Sequence, residues 1–206
     1  MGEAGAFQEM IGAYIKDSFI DYPGKISPVI FTKGCNLNCS YCQNRELIPF
    51  KSDLHVPFQL IYQDLNLKKK FYSGITISGG EPLLHKNNLI SLLILLKDIT
   101  NLPIKIDSNG TNPEFLEFLF KEGLVDSASI DIKTRFINYA EVTGDYKLTR
   151  DVIASKFEAI FALADQYEIF FRTTLIPSVT PPVQERILAV VPFNSMHTFQ
   201  KYRPVS

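Results

Sequence analysis

The spacing of apolar positions along this chain switches repeatedly between two periods. Short runs rich in branched and apolar residues cover Ile26 to Lys33, Gly74 to Ser78, Pro103 to Asp107, Asp126 to Lys133, Glu168 to Ile176 and Thr198 to Val205. These read as strands, with Pro28 tolerated near the start of the first. Between them the period lengthens. Phe58, Ile61, Tyr62 and Leu65 recur at i, i+3, i+4 and i+7 and predict a helix over Pro57 to Lys70. Asn88 to Asp98 predicts a strongly apolar helix, and Pro182 to Val190 another. Pro113 to Glu122 is framed by Asn112 as cap, Pro113 at its first position and Gly123 at its end. Asp151 to Gln166 follows Thr149 as cap and gathers Ile153, Phe157, Ile160, Phe161 and Ala164 on one face.

Six strands alternating with helices imply a parallel sheet with right-handed crossovers. A complete eight-unit barrel usually takes about 250 residues. With 206 residues, an incomplete (β/α)6 TIM-like barrel fits better, and a flat doubly wound sheet is the alternative. A chain of this length is expected to form one domain and to bury roughly 70% of its unfolded surface. It then needs no metal or disulfide merely to fold, so any metal it binds serves chemistry.

Charge and composition narrow the function further. Net charge is −1, with no general basic field to attract nucleic acid. The densest basic run, Lys68 to Lys70, reads as the solvated end of a helix. The longest apolar run, Leu92 to Leu96, is far short of the ~20 residues a membrane span requires, and the N-terminus lacks an apolar signal core. A cytoplasmic location is the expectation.

All three cysteines fall within Cys35-Asn36-Leu37-Asn38-Cys39-Ser40-Tyr41-Cys42. An odd, clustered set is no disulfide framework. Gaps of three and two residues let a tight loop bring three soft thiolates to one metal centre, either an iron–sulfur cluster or zinc. A cubane held by three thiolates leaves one iron open to chemistry. Structural zinc with a histidine such as His55 as fourth ligand is the plainer reading. Further polar motifs follow later strands. Ser78-Gly79-Gly80-Glu81-Pro82 offers close backbone approach and a carboxylate for a cationic amine. Asp107-Ser108-Asn109-Gly110, Asp131-Ile132-Lys133 and Arg172 lie on or just after the next three strands. Each alone could be an ordinary turn or ion pair. Together they share the strand ends where barrel enzymes build their sites.

Cys-x-x-x-Cys-x-x-Cys followed by Gly-Gly-Glu-Pro resembles the radical S-adenosylmethionine (radical SAM) superfamily. Asp21-Tyr22-Pro23-Gly24, Gly34-Cys35-Asn36, Cys42-Gln43-Asn44, the Asp107 and Asp131 motifs, and Thr143-Gly144 resemble its activating enzymes of glycyl-radical enzymes. Gln200-Lys201-Tyr202-Arg203-Pro204 is similar to the end of anaerobic ribonucleoside-triphosphate reductase activating proteins. The resemblance spans about residues 14–205 of a single domain, with 1–13 expected to be a loosely held leader.

The resemblance implies the following roles. Cys35, Cys39 and Cys42 bind three irons of a [4Fe-4S] cluster, and the fourth iron takes the amine and carboxylate of S-adenosylmethionine. Gly79, Gly80 and Glu81 receive the amine, and Tyr41 lies near the adenine. Asp107 and Asp131 approach the carboxylate through a small cation. Ser108, Lys133 and Arg172 belong to the same cofactor-binding set. Reductive cleavage gives a 5′-deoxyadenosyl radical that abstracts hydrogen from a glycyl-radical enzyme, with a flavodoxin or ferredoxin-type protein as electron donor. A small-molecule enzyme such as a 7-carboxy-7-deazaguanine synthase is the alternative. Gln43 stands where these families often carry histidine, and Ser108 where threonine is common.

Overall fold

The computed structural model of the protein describes residues 7 and 9–203. Seven strands form one sheet: β1 (Ile11–Ser18), β2 (Ser27–Thr32), β3 (Ile75–Gly79), β4 (Ile104–Ser108), β5 (Ser127–Asp131), β6 (Glu168–Leu175) and β7 (Met196–Lys201). They lie side by side in chain order. β1 pairs antiparallel to β2, and every later pair is parallel. A doubly wound sheet reverses its order at a switch point, and this sheet does not. An unbroken order means each crossover adds the next strand on the same side, which is how a barrel wall grows. The wall does not close, since β1 and β7 are not paired. The architecture is a mixed α/β partial barrel.

The helices are α1 (Phe58–Leu67), α2 (Lys86–Thr100), α3 (Pro113–Lys121), α4 (Tyr139–Thr143), α5 (Arg150–Ala164) and α6 (Pro181–Leu188). The period of two within the strands sorts side chains between the helix layer and the concave face. Ile75 and Ile77, Ile104 and Ile106, Ala128 and Ile130, and Ile169 and Phe171 are buried in the apolar core. In β3, β4 and β5 the alternate positions are polar, whereas Val29 and Phe31 of β2 and Phe170 of β6 are not. Ser27 meets Thr76 at 3.1 Å, and Lys105 donates to Ser129 at 3.0 Å. β3, β4 and β5 are thus largely buried on both faces, and only one of those faces is apolar. On the helix side, Phe157 of α5 lies against the rings of Phe136, Tyr139 and Phe161.

Several expectations need correction. β1 is absent from the sequence reading, and Ile11 to Ala13 of the supposed leader belong to it. Among the described residues of that stretch, Phe7, Met10 and Ile11 are buried in the core. β1 escapes detection because Gly12 and the run Lys16-Asp17-Ser18 break its alternation. Pairing with β2 supplies the order that propensity lacks. Residues 1–6 and 8 lie outside the described residues, as do 204–206. The last strand runs over Met196–Lys201 where Thr198 to Val205 is expected, and residues 202 and 203 are not in it.

Neither Asn112 nor Thr149 makes a side-chain cap bond. Asn112 instead donates to the Leu83 carbonyl at 3.2 Å. The basic run does end α1, but Lys68 is not merely solvated. It pairs with Asp17 at 2.6 Å, and Tyr14 and Tyr72 both donate to Asp64, so β1 is clipped to α1. No described helix is long and apolar enough to cross a membrane.

Candidate active site

The cysteine loop leaves the end of β2 and is held from below by backbone bonds. Gly34 N–H donates to Leu47 at 2.7 Å, and Cys35 N–H donates to Ile48 at 3.0 Å. Farther along, Asn38 N–H donates to the Thr143 carbonyl at 2.8 Å. This explains the Thr143-Gly144 stretch. Gly144 has φ +68°, and a Cβ there would lie 3.1 Å from the Asn38 carbonyl oxygen. The loop arranges Cys35, Cys39 and Cys42 around one cavity of about 350 Å3. Cys39 is buried and the other two are half-buried. Burial pushes the Cys35 thiol up to about 11 and raises Cys39 as well. A nearby positive charge is therefore needed to ionise them. Leu37 N–H already points at the Cys35 sulfur at 3.4 Å.

Gly79 and Gly80 line the same cavity, and packing against the cysteine loop also requires them. A Cβ at Gly79 would stand 2.2 Å from Thr32 N, and one at Gly80 would stand 2.2 Å from the Gly34 carbonyl oxygen. The two glycines let β3 press against the base of the cysteine loop. Gly80 N–H and Glu81 N–H then bond to Thr32 and Gly34 at 2.9 and 2.8 Å.

Glu81 is not brought to the cavity wall. It is 1% exposed and sits behind the wall, accepting from Leu83 N–H, Ser108 Oγ–H and Asn109 N–H at 3.1, 2.9 and 2.7 Å. Burial outweighs these three donors and pushes its carboxyl up to about 7. Ser108 lines the cavity, but its hydroxyl proton is committed to Glu81. Asn109 donates to Asn36 at 2.9 Å, tying the cysteine loop to the end of β4.

Charges alternate through the concave face. Lys105 pairs with Asp107, and Arg172 bridges Asp107 and Asp131 at 3.2 and 3.0 Å. Lys133 pairs with Asp131 at 2.7 Å. Burial acts to raise the Asp131 carboxyl, but Arg172 and Lys133 together hold it at about 2. Burial acts to lower Lys133, yet Asp131 keeps it well above the usual lysine range. Period two puts Lys105 on the same face as Asp107, which is the signal that could have found it, yet the sequence reading does not single it out. Asp21, Gln43, Thr174 and Gln200 also line the cavity. Tyr41 lines it too, and its hydroxyl is buried with no partner among the described residues.

The donor set fits a cluster better than a single ion. One zinc draws thiolates to about 2.3 Å from itself, so its ligands must converge. A cubane takes one thiolate at each of three irons, so its ligands stand apart around a space. The three cysteines surround a cavity, and no three His, Cys, Asp or Glu side chains converge as a single-ion site among the described residues. His55, the candidate fourth zinc ligand, is exposed and does not line the cavity.

The comparisons agree with this geometry. The chain is 35% identical over 199 residues to a Methanocaldococcus jannaschii protein named as a glycyl-radical enzyme activating enzyme, covering 95% of this chain and 80% of that one. It is 32% identical over 171 residues to a pyruvate formate-lyase-activating enzyme of Listeria monocytogenes, covering 78% and 66%. Its fold is similar to anSMEcpe, solved with bound AdoMet. That match has a TM-score of 0.62 and 16% identity, over 84% of this chain and 50% of that one, and it speaks to fold alone. The profile of the Radical SAM superfamily matches residues 29–185, from β2 into α6 and across the cysteine, Gly79-Gly80, Asp107, Asp131 and Arg172 segments of the cavity wall, and the chain belongs to that superfamily.

Proposed function

We propose that the protein is an activating enzyme that cleaves S-adenosylmethionine reductively and installs a glycyl radical on a partner enzyme. The observation that carries this reading is the placement of three free cysteines and an alternating charge array on one cavity. When bound, a [4Fe-4S] cluster supplies the single electron that cleaves the sulfonium to methionine and a 5′-deoxyadenosyl radical. Cys35, Cys39 and Cys42 would hold it.

The chain's own groups do the rest. Gly79 and Gly80 present backbone at the cavity wall for the methionine amine, and Glu81 acts by locking that backbone to the end of β4. Lys133 ends the charge array near the cysteines and meets the carboxylate. Arg172 already stands between Asp107 and Asp131, so the array supplies its own cation where the family resemblance implies a small cation. The unpartnered Tyr41 hydroxyl awaits a polar atom of the bound molecule. The buried wall keeps water and stray hydrogen donors out.

Gln200 on the cavity wall, within the stretch that runs to Pro204, supports an anaerobic ribonucleoside-triphosphate reductase as partner. A flavodoxin or ferredoxin-type protein is the proposed donor. Anaerobic reconstitution should give about four irons and four sulfides per chain, lost in each Cys-to-Ala variant. With dithionite and S-adenosylmethionine, the protein should release 5′-deoxyadenosine slowly. With the reductase it should give a glycyl doublet by electron paramagnetic resonance. Tight binding of one zinc and no iron ends the proposal. A doublet only on a pyruvate formate-lyase-type partner changes the partner alone, and consumption of a free pterin with no protein responding replaces the activase with a small-molecule enzyme.

A further inference from the structure

Asp131 and Lys133 face the cavity of the cysteines, and the residues between and beyond them face the other way. Ile132 and Thr134 line a second cavity of about 260 Å3, directly behind that wall. Phe136, Ile187 and Val190 supply apolar surface there, and Arg135, Arg150 and Arg186 supply three guanidiniums. Among the described residues none of the three is in an ion pair. Arg135 donates to Asn138 at 2.9 Å, but its Nε is buried with no partner.

The arrangement runs against what folding alone favours. Arg150 is the first residue of the fifteen-residue helix α5, where the helix dipole disfavours a cation. Thr149 leaves the helix N-terminus without a side-chain cap. In a chain whose net charge is −1, three unneutralised arginines around one apolar cavity form a local exception.

We infer that this second cavity is a docking site for an acidic segment of a partner protein, taking one apolar side chain into the cavity and its flanking carboxylates onto Arg135, Arg150 and Arg186. The volume is small for a cofactor, whose sites usually exceed about 300 Å3, but suits one side chain. Apolar lining with arginines at the mouth matches an apolar anchor flanked by carboxylates, because guanidinium pairs with carboxylate in bidentate geometry. The rim extends the apolar surface outward through Ile137 and Leu188, which are 68% and 48% exposed. Ile132 and Thr134, which line the second cavity, alternate along the chain with Asp131 and Lys133, which line the reactive cavity. The inference rests on the proposed protein-directed function, since only a macromolecular substrate needs a second foothold.

The test uses the full chain and three fluorescein-labelled decapeptides: one with two leucines flanked by aspartates and glutamates, one with lysines in place of the acids, and one with serines in place of the leucines. Anisotropy should show saturable binding of the first alone, weakened at least about tenfold by the double variant R150Q/R186Q and by raised salt. Both arginines are exposed, so the fold should persist, and unchanged 5′-deoxyadenosine release by the reconstituted variant checks this. Conservative R150K/R186K should recover part of the affinity. Equal binding of the lysine peptide, equal binding of the leucine-free peptide, or an unaffected double variant overturns the inference. Peptide binding needs no cluster, whereas failure to cleave S-adenosylmethionine overturns the proposed function, so the two failures are distinct.

Discussion

At the scale of single residues, the site is governed by groups that hold one another. Arg172 bridges two carboxylates at once, and each keeps a second cationic partner, Lys105 for Asp107 and Lys133 for Asp131. Arg172→Met should cost about 1–3 kcal/mol in urea denaturation, because it removes a charged hydrogen-bond donor from both carboxylates. Arg172→Lys, unable to bridge both carboxylates, should fall between that variant and the parent. Glu81 gives a pH signature. Its folded pKa of about 7 lies above the usual carboxyl value, so the protonated form is favoured on folding. That contribution is fully present below the ordinary carboxylate range and is lost as pH rises through about 7. Melting temperature should therefore fall across this window in the parent. Glu81→Gln should be less stable throughout, since one of its three donors faces an amide NH2, and should lack this part of the slope. An identical slope in the variant would assign the titration to another group.

At the scale of elements, backbone contact between β3 and the cysteine loop sets the site's shape. Gly80→Ala puts a methyl against the Gly34 carbonyl, backbone on backbone, which no rotamer relieves. Overpacking of this kind costs about 1–3 kcal/mol. A drop of roughly 2–10 °C in the melting temperature of iron-free protein is expected, together with weaker cluster retention. Intact iron content with only S-adenosylmethionine affinity reduced would instead mean that the glycine serves the ligand directly. On the opposite side of the sheet, α5 is anchored by Phe157, which is fully buried among three other rings. Phe157→Ala should cost about 3–5 kcal/mol by chemical denaturation, the usual penalty for emptying a large core site.

At the scale of the molecule, the metal site is expected to ride on a fold that stands without it. The cysteine loop is tied by backbone bonds to Leu47, Ile48 and Thr143, and the apolar core extends from Phe7 to Ile187, most of it far in sequence from the cysteines. Iron-free protein should unfold in one cooperative transition and keep its near-ultraviolet circular dichroism. That single transition is also what one domain over the whole chain requires. Loss of cooperativity on chelation would make the cluster a structural staple.

The sequence alone determined the strand–helix alternation, the partial barrel and the cysteine loop, because each depends on local period or fixed spacing. Phe58, Ile61 and Leu65 declare α1 by their recurrence, and Cys35, Cys39 and Cys42 declare a soft-ligand site by their gaps. It also placed Asp107, Asp131, Lys133 and Arg172 on one face, since strand ends share an edge of the barrel. Only the tertiary structure decided the rest. β1 is ordered by its neighbour β2 rather than by its own residues, which no periodicity records. Glu81 stays behind the cavity wall because its carboxylate accepts from the nearby Leu83 and from Ser108 and Asn109 at the end of β4. Gly79 and Gly80 are required by strand and loop backbone brought together across 45 or more positions of chain, such as Gly34 against Gly80. Such contacts are set by close approach between segments distant in sequence, and a linear pattern carries no trace of which atoms will meet.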